Sequence, residues 1–169
     1  MEILVCIKQV PDTTEIKIDP VKHTLIREGV PSIVNPFDAC ALEMAVRLKE
    51  KEGGKVIVIS MGPAQAKNAL KECLAVGADQ AFLVTDRAFG GSDTLATSYI
   101  LSRAIAAVEA KTGEKFDLIF CGKQAIDGDT AQVGPEIAEH MDLPHVTLAT
   151  AVEMADGKLH VTRDTDEGH

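Results

Sequence analysis

The sequence has few aromatic residues and a deficit of basic ones. Aromatic side chains make up 4% of its 169 residues, tryptophan is absent, and 26 acidic residues against 17 lysines and arginines give a formal net charge of -9. Proteins that bind nucleic acids neutralise phosphates with basic side chains, and those that bind single strands also stack bases on aromatic rings. We therefore expect no nucleic-acid partner. A single nucleotide held by backbone N–H groups is compatible with this charge.

Long apolar runs and paired cysteines are also missing. A membrane-spanning helix needs about 20 consecutive apolar residues, and Met1 leads directly into a strand pattern rather than a targeting segment. Cysteines stand at positions 6, 40, 73 and 121 without any C-x-x-C spacing. These features predict a cytoplasmic protein with reduced thiols and no membrane span. The five histidines have no metal-ligand spacing and no catalytic triad is apparent, so we assign no catalytic or metal-binding residue.

Short apolar runs alternate with helical patterns through most of the chain. The runs at residues 2–8, 55–60, 81–84 and 116–120 are typical of parallel strands covered on both faces. Apolar residues between them recur at helical spacing. This alternation predicts a single α/β domain over residues 1–169, with a Rossmann-like, doubly wound, mostly parallel sheet.

Several local signals set the ends of these elements. Asp38 is expected to cap the first helix, and Gly77 to end the second. Residues 16–19 and 24–27 predict a small hairpin, and the Asp156-Gly157 pair predicts a C-terminal β-hairpin. The apolar face predicted for the third helix consists of Leu95, Tyr99, Ile100, Ala104 and Val108.

The loops that follow the four strands are expected to meet at one edge of the sheet. In doubly wound sheets, ligands bind beyond the carboxyl ends of the strands. One loop follows Lys8, and the others occupy residues 61–63, 89–94 and 122–134, where most of the Gly, Asp and Thr clusters occur. Their convergence predicts one nucleotide-sized site.

Residues 122–134 form the most informative of these loops. They precede a helical pattern, and the unpaired N–H groups of a helix N-terminus suit a phosphate. We expect Thr130 and the N–H groups of residues 131–134 to face phosphate, and Asp127 and Asp129 to act as caps or to meet ribose hydroxyls. An ordinary capped surface loop explains the local sequence almost as well.

Other candidate residues also have two interpretations. The amide of Asn35 could read an adenine edge, or the residue could simply begin a helix. Lys8 and Lys123 could neutralise phosphate, or remain solvated. Residues 89–94 place two glycines before a Ser-Asp cap, which allows close approach of a ligand, although an ordinary helix entry is the default interpretation.

Several segments, taken together, resemble the β subunit of the electron transfer flavoproteins. They are residues 4–12 (LVCIKQVPD), 35–38 (NPFD) with 45–50 (AVRLKE), 61–65 (MGPAQ), 77–79 (GAD) and 122–129 (GKQAIDGD). The resemblance covers essentially the whole chain in the family's order. It implies a Rossmann-like subunit that pairs with an α subunit and moves electrons through flavin, with an acyl-CoA or other dehydrogenase and ferredoxin as further partners.

The resemblance also implies a pocket and its ligands. In the family, the pocket holds AMP in the simple carriers, and a second FAD that accepts a hydride from NADH in the bifurcating members. By matching positions, and with Lys8 added, the pocket would consist of Cys6, Lys8, Asn35, Pro36, Phe37, Asp38, Met61, Gly122, Lys123, Gln124, Ala125, Ile126, Asp127, Gly128, Asp129, Thr130, Ala131, Gln132 and Val133.

The choice between FAD and AMP depends on residues 90–97. This stretch resembles the glycine-rich segment of the bifurcating members, and it adds Gly90, Gly91, Ser92, Asp93, Thr94 and Thr97 to the expected site. FAD is therefore favoured over AMP. The alternatives are an AMP-binding carrier subunit and a non-redox nucleotide-binding regulatory domain. The stretch also resembles the S-G-G-x-D-S loop of ATP pyrophosphatases, but Phe89 replaces the first serine.

The last residues depart from the family pattern. The chain ends at residues 165–169, where the family continues into a C-terminal arm that embraces the α subunit. The resemblance therefore implies a fragment or a truncated product for this chain, with heterodimer formation left open. The expected pocket does not depend on the arm, because none of its segments extends past Val133.

Overall fold

A computed structural model describes residues 1–12, 17–18, 25–26, 31–166 and 168. The elements in chain order are β1 (Glu2–Cys6), β2 (Gln9–Pro11), β3 (Lys17–Ile18), β4 (Leu25–Ile26), β5 (Ser32–Val34), α1 (Pro36–Glu52), β6 (Lys55–Met61), α2 (Lys67–Ala75), β7 (Gln80–Val84), α3 (Thr94–Thr112), β8 (Leu118–Cys121), α4 (Val133–His140), β9 (Ala149–Ala155) and β10 (Lys158–Arg163). Short 3-10 helices at Ala64–Ala66 and Arg87–Phe89 lead into α2 and α3.

Four parallel strands form the central sheet in the order β7-β6-β1-β8. The chain moves outward from β1 to β6 and β7, and then crosses back to place β8 on the other side of β1. The strand order therefore reverses between β1 and β8, which is the topological switch point of such a sheet. The predicted Rossmann-like, mostly parallel α/β fold is confirmed.

Helices cover both faces of this sheet. On one face, Ile3 packs in a layer with Leu42 of α1 and Leu70 of α2. On the other face, Leu4 packs with Ile105 of α3 and with residues of α4. Successive strand residues point to opposite faces, so both Ile3 and Leu4 are fully buried. This two-sided burial explains why the central strands have continuous apolar sequences.

The start of α1 differs from the expectation. The helix begins at Pro36, and the N-cap position belongs to Asn35, whose side chain makes no capping bond. Proline is well suited to the first helical position because its missing N–H would have no partner there. Asp38 lies inside the first turn, so the prediction that it caps the helix is wrong.

The buried face of α3 also differs from the prediction. Leu95 and Tyr99 are 60% and 56% exposed, whereas Ser98 and Ser102 are buried. The two serines can be buried because their hydroxyls donate to the carbonyl oxygens of Leu95 and Tyr99 at 2.9 and 2.7 Å. The prediction is therefore wrong at Leu95 and Tyr99, in the first half of the helix, whereas the predicted Val108 is buried and Ala104 packs against the core.

Both predicted hairpins occur within the described residues. β3 and β4 pair antiparallel, while the predicted flanking residues 16, 19, 24 and 27 lie outside the described ranges. β9 and β10 also pair antiparallel. Their turn places Asp156 and Gly157 at φ values of 53° and 72°, the left-handed conformation that a two-residue turn of this kind requires.

No helix in residues 31–166 or the shorter described ranges is long and apolar enough to cross a membrane.

Candidate functional site

A cavity of about 1150 Å³ opens at the carboxyl edge of the parallel sheet. Cys6 and Cys121, which end β1 and β8, both line it and lie opposite each other in the register of the two strands. The cavity therefore occupies the switch point, the position at which doubly wound sheets bind ligands. Typical small-molecule pockets have volumes of about 300 to 1,000 Å³, so a ligand larger than a mononucleotide fits.

The structure brings most of the predicted site residues to this cavity. Those that line it are Cys6, Lys8, Asp38, Met61, Gly90, Gly91, Ser92, Asp93, Thr94, Thr97, Gly122, Lys123, Gln124, Ala125, Gly128, Thr130, Ala131, Gln132 and Val133. The predicted residues outside the lining are Asn35, Pro36, Phe37, Ile126, Asp127 and Asp129.

Other lining residues were not assigned individually to the site, although Gly62, Pro63, Phe89 and Gly134 belong to the loops predicted to meet there. They are Ile7, Ile59, Gly62, Pro63, Ala64, Thr85, Asp86, Arg87, Phe89, Leu101, Cys121 and Gly134. Two signals could have found some of them. Residues 85–87 directly follow a predicted strand, so they belong to the same set of edge loops. Leu101 lies four residues after Thr97 and shares its helical face.

The wall formed by the start of α3 satisfies its own polar groups. The Asp93 carboxylate accepts the N–H of Ala96 at 2.8 Å, and the Asp86 carboxylate accepts the N–H of Ala88 at 2.9 Å. The Ser92 hydroxyl donates to the carbonyl oxygen of a preceding residue. These bonds are local N-caps and turns, so the conformation of this wall is set by hydrogen bonds between residues that are close together in sequence.

Thr94 connects the two helices that begin at the cavity. Its hydroxyl donates to Oε1 of Glu136, on α4, at 3.1 Å. The other carboxylate oxygen of Glu136 is buried without a hydrogen-bond partner in the described part of the chain. Thr97, one turn further along α3, also lines the cavity. The two threonines therefore share a face, as predicted, but Thr94 already has a protein partner.

The start of α4 forms the neighbouring part of the wall and is built differently. Its N-cap residue, Gln132, makes no side-chain capping bond, and residues 130–134 all line the cavity. Ala131, just before the helix, has a φ of 54°, a conformation that costs free energy for a residue other than glycine. The first turn of α4 therefore has two backbone N–H groups without a capping side chain, those of Val133 and Gly134, and both residues line the cavity.

The two aspartates of this loop pair with protein groups. Asp127 accepts from Nζ of Lys8 at 2.7 Å, and Asp129 accepts from the Gln124 side chain at 2.7 Å. Neither aspartate lines the cavity. The side chains of Lys8 and Asp127 are 49% and 31% exposed, and ion pairs this exposed contribute little to stability. A ligand phosphate can therefore compete for Lys8.

Asn35 and Asp38 lie beneath the same loop. The Asn35 side chain is fully buried, and its amide binds the backbone of Gln124 and Ile126. The Asp38 carboxylate accepts the backbone N–H of Lys8 at 2.7 Å. Asn35 therefore supports the loop from outside the cavity, and its amide is not presented to an adenine edge.

Burial changes the acidity of several groups near the cavity floor. It raises the pKa of Asp38 to about 6, although hydrogen bonds from Lys8, Asn35 and Gly122 act in the opposite direction. The hydrogen bond with Cys121, together with burial, raises the pKa of the Cys6 thiol. Away from the cavity lining, burial in α2 raises the pKa of Cys73 to about 11. These thiols are therefore protonated and poorly nucleophilic at neutral pH.

The described part of the chain contains no group of three or more His, Cys, Asp or Glu residues placed to hold a metal ion. The cavity instead offers backbone N–H groups, hydroxyls and apolar walls. Such a lining can bind and orient a ligand that carries its own chemistry.

Comparisons with known proteins agree with this geometry. A family model described as the electron transfer flavoprotein domain matches residues 22–169. The electron transfer flavoprotein subunit beta of Thermoanaerobacterium thermosaccharolyticum is 60% identical over 169 residues, and that of Megasphaera elsdenii is 57% identical over 171 residues. Subunit CarD of the caffeyl-CoA reductase-Etf complex of Acetobacterium woodii is 55% identical over 170 residues. Each alignment covers 100% of this chain but 63% of the relative, so the chain spans less than two thirds of their length.

Proposed function

We propose that this chain, which belongs to the electron transfer flavoprotein family, binds FAD in its cavity. Together with an α subunit, it takes part in NADH-linked, bifurcating electron transfer. The flavin, when bound, supplies the redox chemistry. The protein binds and orients it and limits its contact with water. CarD belongs by name to the caffeyl-CoA reductase-Etf complex, which supports an acyl-CoA dehydrogenase or related enzyme as a further partner. Ferredoxin is proposed from the family resemblance alone.

The observation that carries the proposal is the uncapped start of α4. Val133 and Gly134, whose N–H groups have no capping side chain, line the cavity together with Thr130 and the strained Ala131. A helix N-terminus bears a partial positive charge and unpaired donors, both of which favour a phosphate group. Strain at this position is consistent with a loop shaped for a ligand.

The residues at the start of α3 support FAD over AMP as the ligand. A mononucleotide bound at the start of α4 would leave the α3 side of the cavity without contacts. FAD adds a second phosphate, a ribityl chain and a ring system, which need polar partners and an apolar surface. Residues 90–97 provide backbone groups and the Thr97 hydroxyl on that side, while Met61, Phe89 and Leu101 provide apolar surface. The residues present therefore fit the dinucleotide.

Counting cofactors tests the proposal directly. The full-length chain would be purified in complex with its α subunit, and the nucleotides released by denaturation would be separated and quantified. Two FAD molecules per heterodimer are expected. One FAD and one AMP would instead identify a simple carrier subunit and contradict the FAD assignment. Bound ATP without flavin would indicate a regulatory nucleotide-binding domain and overturn the redox role.

A further inference from the structure

We propose that Asn35 and Asp38 are positioning residues for the nucleotide, because together they hold the first part of the 122–134 loop in its ligand-binding conformation. This inference rests on the proposed function, since it concerns ligand affinity at the same cavity. Asn35 lies outside the cavity lining, so its contribution would be exerted through the loop. We name residues 35 and 38, with the loop atoms that they bind, the loop clamp.

The amide of Asn35 forms both a donor and an acceptor bond with the loop backbone. Its Nδ2 donates to the carbonyl oxygen of Gln124 at 2.8 Å, and its Oδ1 accepts the N–H of Ile126 at 3.1 Å. The backbone N–H of Asn35 donates to the carbonyl oxygen of Lys8 at 2.9 Å. One residue at the start of α1 therefore fastens a loop about ninety positions away to the end of β1.

Asp38 fastens the same loop one turn further along α1. Its carboxylate accepts the N–H groups of Lys8 and Gly122. A Cβ built on Gly122 would stand 2.2 Å from Oδ1 of Asp38 and 2.7 Å from its backbone nitrogen. Only glycine therefore allows the loop to come this close to α1.

The clamp has a consequence for ligand binding because residues 122–132 contain no helix or strand of their own. Within residues 122–126, the backbone is positioned by contacts to α1. If the clamp is removed, the loop spends part of its time in other conformations. The apparent affinity for the nucleotide is then the intrinsic affinity multiplied by the fraction of molecules whose loop is in the binding conformation. Loss of two buried hydrogen bonds is enough for a reduction of about tenfold.

Asn35→Asp provides a sharp test, because a protonated carboxyl has one donor and one acceptor, as the amide does. An ionised carboxylate has only acceptors and would face the carbonyl oxygen of Gln124 unfavourably. FAD would be titrated into the complex of the full-length chain with its α subunit at pH 5 and pH 8, with the wild type measured at each pH. Asn35 hydrogen-bonds to Asp38, whose pKa is about 6, so the two carboxyls of the variant titrate as a coupled pair, and the ratio to wild type at each pH reports the behaviour of that pair. The nearby Lys8, Cys6, Cys73 and Cys121 are present in both proteins. We expect Asn35→Asp to bind nearly as wild type at pH 5 and about tenfold more weakly at pH 8.

Two further variants complete the experiment. Asn35→Ala should be about tenfold weaker at both pH values, with faster hydrogen exchange of the amides in residues 122–126. Val108→Ala removes core volume far along α3 and controls for a general loss of stability. It should leave both the affinity and the exchange of these amides unchanged.

The outcomes separate this inference from the proposed function. Wild-type affinity in Asn35→Ala, an equal loss in Val108→Ala, or a pH-independent Asn35→Asp would overturn the positioning role. If the wild-type complex binds neither FAD nor AMP at this cavity, the proposed function fails. In that case, hydrogen exchange of the Ile126 amide in Asn35→Ala still tests the loop clamp. Unchanged exchange would overturn the clamp, and faster exchange would support it.

Discussion

Two helix starts lie side by side at the cavity, joined by the hydrogen bond from Thr94 to Glu136, and they are stabilised in different ways. The start of α3 is closed by its own sequence, since Asp86 and Asp93 accept the N–H groups of Ala88 and Ala96. The start of α4 has no side-chain cap. A helix entry that satisfies its own donors needs no ligand to be stable. A helix start that has no capping side chain, and that is positioned by contacts to other elements, keeps its backbone N–H donors available for a ligand.

The largest effect expected from this comparison is at Gly122, where the α4 loop is held from outside. Gly122→Ala would place a Cβ 2.2 Å from the Asp38 carboxylate and 2.7 Å from backbone atoms of Phe37 and Asp38. Backbone cannot move aside as a flexible side chain can, so we expect the free energy of unfolding to fall by about 3 kcal/mol. Urea unfolding of the full-length chain would measure the change.

Gly128→Ala is the matched control, because it lies in the same loop and a Cβ there meets nothing within 4 Å. It should change the free energy of unfolding by less than about 0.5 kcal/mol. Equal effects of the two substitutions would mean that the loop is not fastened to α1 at Gly122.

The second prediction concerns the carboxylate beneath the loop. Its pKa is raised from 3.8 to about 6, so the folded protein binds this proton more tightly than the unfolded chain does. Stability therefore falls as the pH rises from about 4 to about 6, by up to roughly 3 kcal/mol for this group, and the contribution is constant above that range. Asp38→Asn should lack this component.

The measurement is the difference between the unfolding free energies of wild type and Asp38→Asn, from pH 4 to pH 7.5. Other titrating groups, including Glu2, occur in both proteins and cancel. The difference should shift in favour of the variant as the pH rises, and then level off. Parallel curves for the two proteins would show that Asp38 is ordinarily ionised and that its burial carries no cost.

Much of this arrangement could be predicted from the sequence, for identifiable physical reasons. Central strands are buried on both faces, so their apolar runs were easy to locate, and the switch-point rule then placed the loops that follow them at one edge. The apolar pattern of α3 located Val108 correctly but failed in the first half of the helix, where Ser98 and Ser102 are buried with their hydroxyls satisfied within the helix. The amide bonds of Asn35 join segments far apart in sequence, and no local pattern predicts such a contact.

The smallest expected effects come from two substitutions, one that removes the capping aspartate of α3 and one that introduces an aspartate at the N-cap position of α4. Asp93→Ala removes the cap of α3 and should lower the free energy of unfolding by about 1 kcal/mol, with little effect on FAD affinity, since its carboxylate is engaged with Ala96. Gln132→Asp places a negative charge at the open start of α4. It should leave stability unchanged or raise it by up to about 1 kcal/mol, since an aspartate can cap the helix, and it should weaken FAD binding by about tenfold, because the charge occupies the position proposed for phosphate.

Gln132→Asn separates charge from shape in that comparison, since it has nearly the same size as the aspartate variant and no charge. FAD titration into the complex with the α subunit and urea unfolding would be measured for all three proteins. If Gln132→Asn weakens binding as much as Gln132→Asp, the side chain at this position acts through its shape. If Asp93→Ala weakens binding more than Gln132→Asp, the phosphate lies on the α3 side, and the roles that we assign to the two helix starts are reversed.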